Sequence, residues 1–242
     1  MIIHRDTQQG SLEWFDLRCG VVTASEADSL ITPAKLQPVS ESAATAYLAL
    51  KLAEKVAGPQ GTGRPDAGGE HPLRGPCSWD MEQGQILEEE ARPAFTIETG
   101  IQTGKVGFLT TDDGRLGCSP DAVIEEGGNI VGGVEIKCPS LKVHIARLLN
   151  PVLPREYLLQ VQFSMLVTGA EYWWFFCYRR RMDPICLKVE RDPHIIMALQ
   201  NAANAFIADM DDAWTRLRLV NRRIVPTQPK QSDLSDQNDI PT

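Results

Sequence analysis

The sequence has no long apolar run. Nothing in it approaches the roughly 18 consecutive apolar residues of a membrane span, and Met1-Ile2-Ile3-His4-Arg5-Asp6 lacks the apolar centre of a secretory signal. No membrane association is therefore expected, and the cytoplasm is the expected compartment. A basic excess is missing too: 24 Lys plus Arg against 32 Asp plus Glu leave a net charge of −8. There is thus no broad cationic coat to hold nucleic acid or anionic lipid non-specifically, and any polyanion must meet a local patch. Cysteine is sparse. The six at positions 19, 77, 118, 138, 177 and 186 never form C-x-x-C, which sets aside a disulfide scaffold, a zinc ribbon and a thioredoxin-type motif. His4, His71, His144 and His194 show no ligand spacing, and no internal repeat is evident.

What is present suffices for a core: 242 residues, 43% of them apolar and 7% aromatic, exclude global disorder. Short helices are expected from Ser11 to Leu17 and from Thr23 to Leu30. A longer amphipathic one is expected from Glu41 to Ala57, where Ala44, Tyr47, Leu48, Leu52 and Val56 recur at helical spacing. Clustered Gly and Pro between Gly58 and Pro76 predict a mobile insertion. Helical pattern returns from Trp79 to Thr99, with Pro93 expected to kink or shorten it. The period then changes to two. Val106–Thr110, Leu116–Cys118, Asp121–Glu125 and Asn129–Lys137 read as a β-meander punctuated by Asp113-Gly114 and Gly127-Gly128 turns. Helices over Leu141–Leu149 and Glu156–Val167 follow. The aromatic run Tyr172–Tyr178 predicts a strand covered on both faces, and Ile185–Val189 its hairpin partner across Arg179-Arg180-Arg181. Pro193–Val220 reads as a closing helix. These elements describe one α/β domain over residues 1–225, a small mixed sheet flanked by helices, with an insertion at about 58–77 and a disordered tail at 226–242.

The chemistry concentrates in Gly117-Cys118-Ser119-Pro120-Asp121 and, fourteen residues after Asp121, Glu135-Ile136-Lys137. Strand alternation puts Glu135 and Lys137 on one face and Ile136 in the core. Asp121, at the start of a neighbouring strand, can meet Glu135 across a short gap. Converging carboxylates repel, and a divalent cation relieves them; oxygen-only ligands favour Mg²⁺ or Mn²⁺. The competing reading is an exposed Glu/Lys pair on an edge strand.

Pro120-Asp121 followed by Glu135-x-Lys137 resembles the core motif of the PD-(D/E)-x-K nucleases. Leu17 to Glu26, Gly84-Gln85-Ile86-Leu87-Glu88, Cys118 to Asp121, Glu135 to Pro139 and Gln160 to Met165 are together similar to the lambda exonuclease and YqaJ-type viral recombinase branch. The resemblance implies a restriction-endonuclease-like core and a Mg²⁺-dependent 5′-to-3′ exonuclease of double-stranded DNA. Two ions per site are implied, with Mn²⁺ able to substitute, and a homotrimeric ring partnered by a single-strand annealing protein. If the protein is viral, its compartment is the host cytoplasm. The resemblance further implies that Glu88, Asp121, Glu135 and the Ile136 backbone carbonyl hold metal and that Lys137 positions the attacking water. Gln162 would support these residues, with Gln160 the substitute, and Arg18 and Ser25 would receive the terminal 5′-phosphate.

Local readings compete with several of these assignments. Glu88 shares a helical stripe with Gly84, Ala91 and Phe95, and Glu90 shares one with Ile86, Ala94 and Ile97, so spacing does not choose between them. Thr23-x-x-Glu26 is also a plain capping box, although a helix start near Arg18 is equally what a phosphate seeks. Gln160 and Gln162 cannot share a helix face, so one is expected at the surface. Arg179 to Arg181 read as a solvated turn or a DNA-backbone contact, and Trp173 to Phe176 as core. A structure-specific or Cas4-like endonuclease on the same metal core, and a non-cleaving DNA-end-binding scaffold, are the alternative functions.

Overall fold

The computed structural model describes the backbone of residues 1–61 and 79–224, and side chains at 1–56 and 87–218. The tail expected at 226–242, and most of the insertion expected at about 58–77, lie outside the described residues.

The elements in order are β1 (Ile2–His4), α1 (Leu12–Arg18), β2 (Val22–Thr23), a 3₁₀ turn (Ala24–Ser29), α2 (Glu41–Gly61), α3 (Trp79–Thr99), β3 (Phe108–Thr110), β4 (Leu116–Cys118), β5 (Ala122–Glu126), β6 (Asn129–Lys137), α4 (Leu141–Leu149), α5 (Arg155–Thr168), β7 (Tyr172–Cys177), β8 (Ile185–Glu190) and α6 (Pro193–Ile224). The expected mixed α/β architecture is present, but the meander is divided. β1, β3, β4 and β2 form one four-stranded sheet in that order, and β5, β6, β7 and β8 form a second. Ser119-Pro120-Asp121 is the crossing between them. β2 runs parallel to β4 and β6 parallel to β7, so both sheets are mixed. β1, unforeseen in the sequence because three residues carry no period, pairs antiparallel with β3. Helix α3 continues through Pro93, and α2 runs on to Gly61, past the expected end at Ala57.

Helix α5 is the hub. The sequence suggests one apolar stripe, yet Leu159, Val161, Gln162, Phe163, Ser164, Met165 and Val167 are all buried, because the helix lies between layers. Leu159, Phe163 and Val167 join Leu109 and Leu116 of the first sheet and Leu199, Ala203 and Phe206 of α6. Val161 and Met165 meet Trp173 of the second sheet. Each such side chain contributes about 1.5–3 kcal/mol by leaving water. On the other side of that sheet, Ala91 and Phe95 of α3 pack on Ala122, Val134, Ile136 and Phe176. Gly133 of β6 leaves the room that the Trp173 ring occupies; a Cβ there would overlap it. Trp173, Phe175 and Phe176 have no exposed surface, as expected of a strand covered on both faces. No helix among the described residues is long and apolar enough to cross a membrane.

Candidate active site

The end of β6 and the crossing before β5 bring the expected residues together. Ile136 is fully buried among apolar side chains, which turns its neighbours Glu135 and Lys137 to the opposite face. There Lys137 Nζ lies 2.6 Å from Glu135 Oε1. The β5–β6 register pairs Ala122 with Val134 and so sets Asp121 beside Glu135. The Ile136 N–H donates to Asp121 Oδ2 at 2.6 Å, and Arg92 Nε donates to the Asp121 carbonyl at 3.2 Å. The cluster is therefore a partly buried one on a central strand, not an exposed pair on an edge.

Helix α3 settles which of its three glutamates faces this cluster. Glu89 pairs with Lys105 at 2.8 Å and Glu90 with Arg180, both on the outer side. Glu88 sits near Lys137 and Glu135: burial pushes its carboxyl up from the usual range, Lys137 pulls it down, and Glu135 pushes it up further. Asp121 feels the same frustration more strongly. Burial, then the Glu135 charge, hold its carboxyl well above the ordinary value, against the pull of Lys137 and the Ile136 N–H. For Lys137, burial opposes the charge, but Glu135 and Asp121 raise the ammonium above the usual lysine value. Lys137 is thus a held cation, suited to orient a water or an anionic oxygen rather than to accept a proton. The Tyr157 ring supports it, with Nζ 5.1 Å from the ring centroid.

The two glutamines of α5 reverse their expected roles. Gln160 Nε2 donates to Glu135 Oε1 at 2.7 Å, onto the oxygen that Lys137 also holds. Gln162 is buried elsewhere: its Nε2 donates to the Glu190 carbonyl at 2.9 Å, and its Oε1 accepts from the Asp192 N–H at 3.0 Å. It ties α5 to the β8–α6 corner. Gln162 is buried and Gln160 half-buried at the cavity, because α5 is enclosed on nearly all sides.

A cavity of about 160 Å³ adjoins the cluster, lined by Gln9, Trp14, Arg18, Ala24, Ser25, Ser119, Gln160 and Ser164. Arg18 reaches across it. Its NH2 donates to Ser25 Oγ at 3.1 Å and Thr23 Oγ1 at 3.3 Å, and its NH1 to Ser119 Oγ at 3.3 Å. Trp14 stacks on the guanidinium, 4.4 Å from Cζ to the ring centroid, and donates its Nε1–H to Ser119 at 2.9 Å. Gln9 joins this wall to the crossing by donating to the Pro120 carbonyl at 3.0 Å. A planar cation, three serine hydroxyls and two amides around one small cavity suit a tetrahedral oxyanion. Arg18 and Ser25 come together there as the sequence suggests, and Gln160 borders both the cavity and Glu135.

The expected capping box does not form. The segment is a 3₁₀ turn with no side-chain cap, and the Thr23 hydroxyl donates to the Glu26 carboxylate at 2.6 Å instead of meeting a backbone N–H. Sequence reasoning also misses Gln9, Trp14 and Ser119. Ser119 could have been found from its place beside Pro120-Asp121, whereas Gln9 and Trp14 reach the site only through tertiary packing. Arg180 is engaged by Glu90, and Arg179 donates to the Pro139 carbonyl at 3.3 Å, so two arginines of the expected turn have protein partners. His144 is buried, with Nε2 2.9 Å from the Asp183 carbonyl and Nδ1 3.4 Å from Cys177 Sγ.

Among the described residues no group of three His, Cys, Asp or Glu side chains forms a preformed metal cage. The donor chemistry nonetheless fits a hard cation: Glu88, Asp121 and Glu135 offer only oxygen, and burial, with repulsion among them added, holds the first two above their ordinary range.

The YqaJ-like viral recombinase domain family matches residues 13–171. The fold is similar to the alkaline exonuclease LHK-Exo from Laribacter hongkongensis, with TM-score 0.71, 25% identity, and 88% of this chain and 99% of that chain covered. The complex of LHK-Exo with dAMP matches at TM-score 0.71 and 26% identity over the same shares. A phage-related exonuclease from Haemophilus somnus 129PT shares the fold at TM-score 0.55 and 13% identity, over 81% of this chain and 96% of that one. No curated protein matches the sequence.

Proposed function

The chain belongs to the YqaJ-like viral recombinase domain family and is a nuclease, and from that premise we propose that it is a 5′-to-3′ exonuclease of duplex DNA. It hydrolyses phosphodiester bonds from 5′-phosphorylated ends, releases 5′-mononucleotides and leaves a 3′ single strand for recombination. One observation carries the reading: the carboxylate and lysine cluster and the Arg18 cavity share a wall through Gln160. An end phosphate held by Arg18, Ser25 and Ser119 therefore sits a short step from the hydrolytic residues.

Within this reading Glu88, Asp121, Glu135 and the Ile136 carbonyl hold two Mg²⁺ ions, with Mn²⁺ an effective substitute. The metal, when bound, supplies Lewis-acid stabilisation of charge on the scissile phosphate. The chain does the rest. Lys137 keeps its proton and directs a hydrogen bond to the attacking water. Gln160 fixes Glu135 against rotation. Arg18 clamps the terminal phosphate so that the next phosphodiester is presented in line with that water. Net acidity is compatible with a DNA substrate because a cation can be placed locally, as Arg18 is in this cavity, and binding through it weakens with salt. The functional unit of this reading is a homotrimeric ring whose partner is a single-strand annealing protein. A solution mass of monomer alone would remove the ring.

The test is Lys137→Ala in the full chain. End binding to 5′-phosphorylated duplex persists while cleavage falls by about 10²–10³-fold or more. Full cleavage in that variant would overturn the mechanism.

A further inference from the structure

Behind the Arg18 cavity lies a charge cluster with no part in the chemistry above. Lys51 of α2 is 2% exposed, and its Nζ is 2.8 Å from Glu26 Oε2 and 3.1 Å from Glu54 Oε2. Glu54 also accepts the Gly20 N–H at 3.0 Å, at the left-handed turn (φ +70°) between α1 and β2. Glu26 Oε2 accepts from Thr23 Oγ1 at 2.6 Å and from the Tyr47 hydroxyl at 3.3 Å. Lys51 thus ties α2 to the 3₁₀ turn that carries Ser25, and it steadies Glu54, which ties α2 to the turn after the helix that carries Arg18. Buried lysines are rare and costly to keep unless paired, so the cluster calls for an account.

Proton counting supplies one. A threonine hydroxyl has one proton to give. Thr23 gives it to Glu26, so its oxygen is left to accept, which it does from Arg18. In the 3.3 Å contact between the two hydroxyls Ser25 is then the donor, so it accepts from Arg18 on its own oxygen and rests on Thr23 the one proton that a ligand oxygen can draw away. The order is fixed only while Glu26 is a carboxylate, which accepts and cannot donate. Burial alone would raise its carboxyl, but the Lys51 charge, aided by hydrogen bonds from Lys51 and Thr23, brings it below the ordinary value. Without Lys51 the largest pull toward the carboxylate is gone, and a Glu26 that carries a proton, like a Gln there, can donate to Thr23. Thr23 is then released to turn its own proton back into the cavity against Arg18.

We infer that Lys51 and Glu26 are positioning residues that set the hydrogen-bond polarity of the Arg18 cavity, and thereby the preference of the protein for a 5′-phosphate over a 5′-hydroxyl end. The inference rests on the reading of that cavity as the end-phosphate site.

Glu26→Gln and Lys51→Met test it. Glu26→Gln leaves Lys51 paired with Glu54, so it is the milder variant should Lys51→Met fail to fold. Each is assayed with Mg²⁺ on linear duplexes that differ only in carrying 5′-phosphate or 5′-hydroxyl. Binding of the same duplexes is measured in chelator. The rate ratio between the two ends, and the matching affinity ratio, fall by about ten-fold, the scale of one charge-assisted hydrogen bond. A merely structural role would lower both substrates together and leave the ratios intact, and that result in Glu26→Gln overturns the inference. A wild-type protein with no preference between the two ends would instead remove the cavity reading on which it stands.

Discussion

The molecule holds two clusters built from the same parts, carboxylates around one lysine, and they differ in what is left unmet. At Glu26, Lys51 and Glu54 every charge has a partner: a buried ammonium bridges two carboxylates, with hydroxyls and a backbone N–H filling further sites. Glu26 consequently lies below its ordinary range. At Glu88, Asp121, Glu135 and Lys137, one ammonium faces three carboxylates, and Asp121 and Glu88 lie above theirs. The closed cluster organises backbone; the open one keeps electrostatic demand for something that is not protein. The direction of the carboxyl shifts separates them, in keeping with two carboxylates to one ammonium in the closed cluster and three to one in the open.

Single substitutions break or sharpen this contrast. The largest effect is on catalysis: Lys137→Ala and Glu135→Gln each lower the cleavage rate by about 10²–10³-fold, measured as mononucleotide release, while Lys51→Met acts on end preference and stability. Stability comes next. Lys51→Met takes the shared ammonium from two half-buried carboxylates, leaving them only hydroxyl and N–H donors, and costs about 3 kcal/mol in denaturant titration. Asp121→Asn does the opposite in metal-free protein. Its folded-state carboxyl is raised above the unfolded value, so the native state binds more protons and wild-type stability falls as pH rises through that interval. Asp121→Asn therefore melts higher than wild type at pH 8 in chelator, and the difference shrinks as the pH falls toward the ordinary aspartate range. A variant that melts lower at pH 8 would contradict the open-cluster account.

The glutamines of α5 sharpen the contrast at a smaller scale. Gln160→Ala lowers turnover by about ten-fold through loss of one charged hydrogen bond, with melting temperature nearly unchanged. Gln162→Ala leaves the Asp192 N–H and Glu190 carbonyl unmet and costs about 1–3 kcal/mol of stability, with a lesser effect on turnover. Smallest is Tyr157→Leu, which removes the ring beneath Lys137 and slows turnover by a few-fold, about 0.5–1 kcal/mol. Tyr157→Phe keeps the ring and restores the rate.

What could be read in advance follows from how locally each feature is encoded. Asp121, Glu135 and Lys137 were legible because strand alternation and a one-turn crossing place them within a short stretch of chain. Glu88 was only half legible: periodicity left it level with Glu90, and it took the packing of α3 on β6 to turn Glu88 inward. Gln162 was misassigned because α5 is enclosed on nearly all sides by both sheets and α6, and past its first turn the helix offers no polar stripe to orient it. The division of the meander was hidden because Ser119-Pro120 reads the same as a turn within one sheet. Lys51 did leave a trace. It stands four residues after Tyr47, inside the stripe of Ala44, Tyr47, Leu48 and Leu52, and a charge on an apolar face is a signal of a buried pair.

The most direct test of the central claim, that the open cluster cuts DNA from an end held in the Arg18 cavity, offers the protein linear duplex with 5′-phosphate, the same duplex with 5′-hydroxyl, and a covalently closed circle, with Mg²⁺ and with chelator. The account expects rapid loss of the 5′-phosphorylated linear DNA, slow loss of the hydroxyl form, an intact circle, and no cleavage in chelator. Cutting of the circle would make the protein an endonuclease on the same residues, and no cutting of any substrate would leave it an end-binding scaffold; either result contradicts the account.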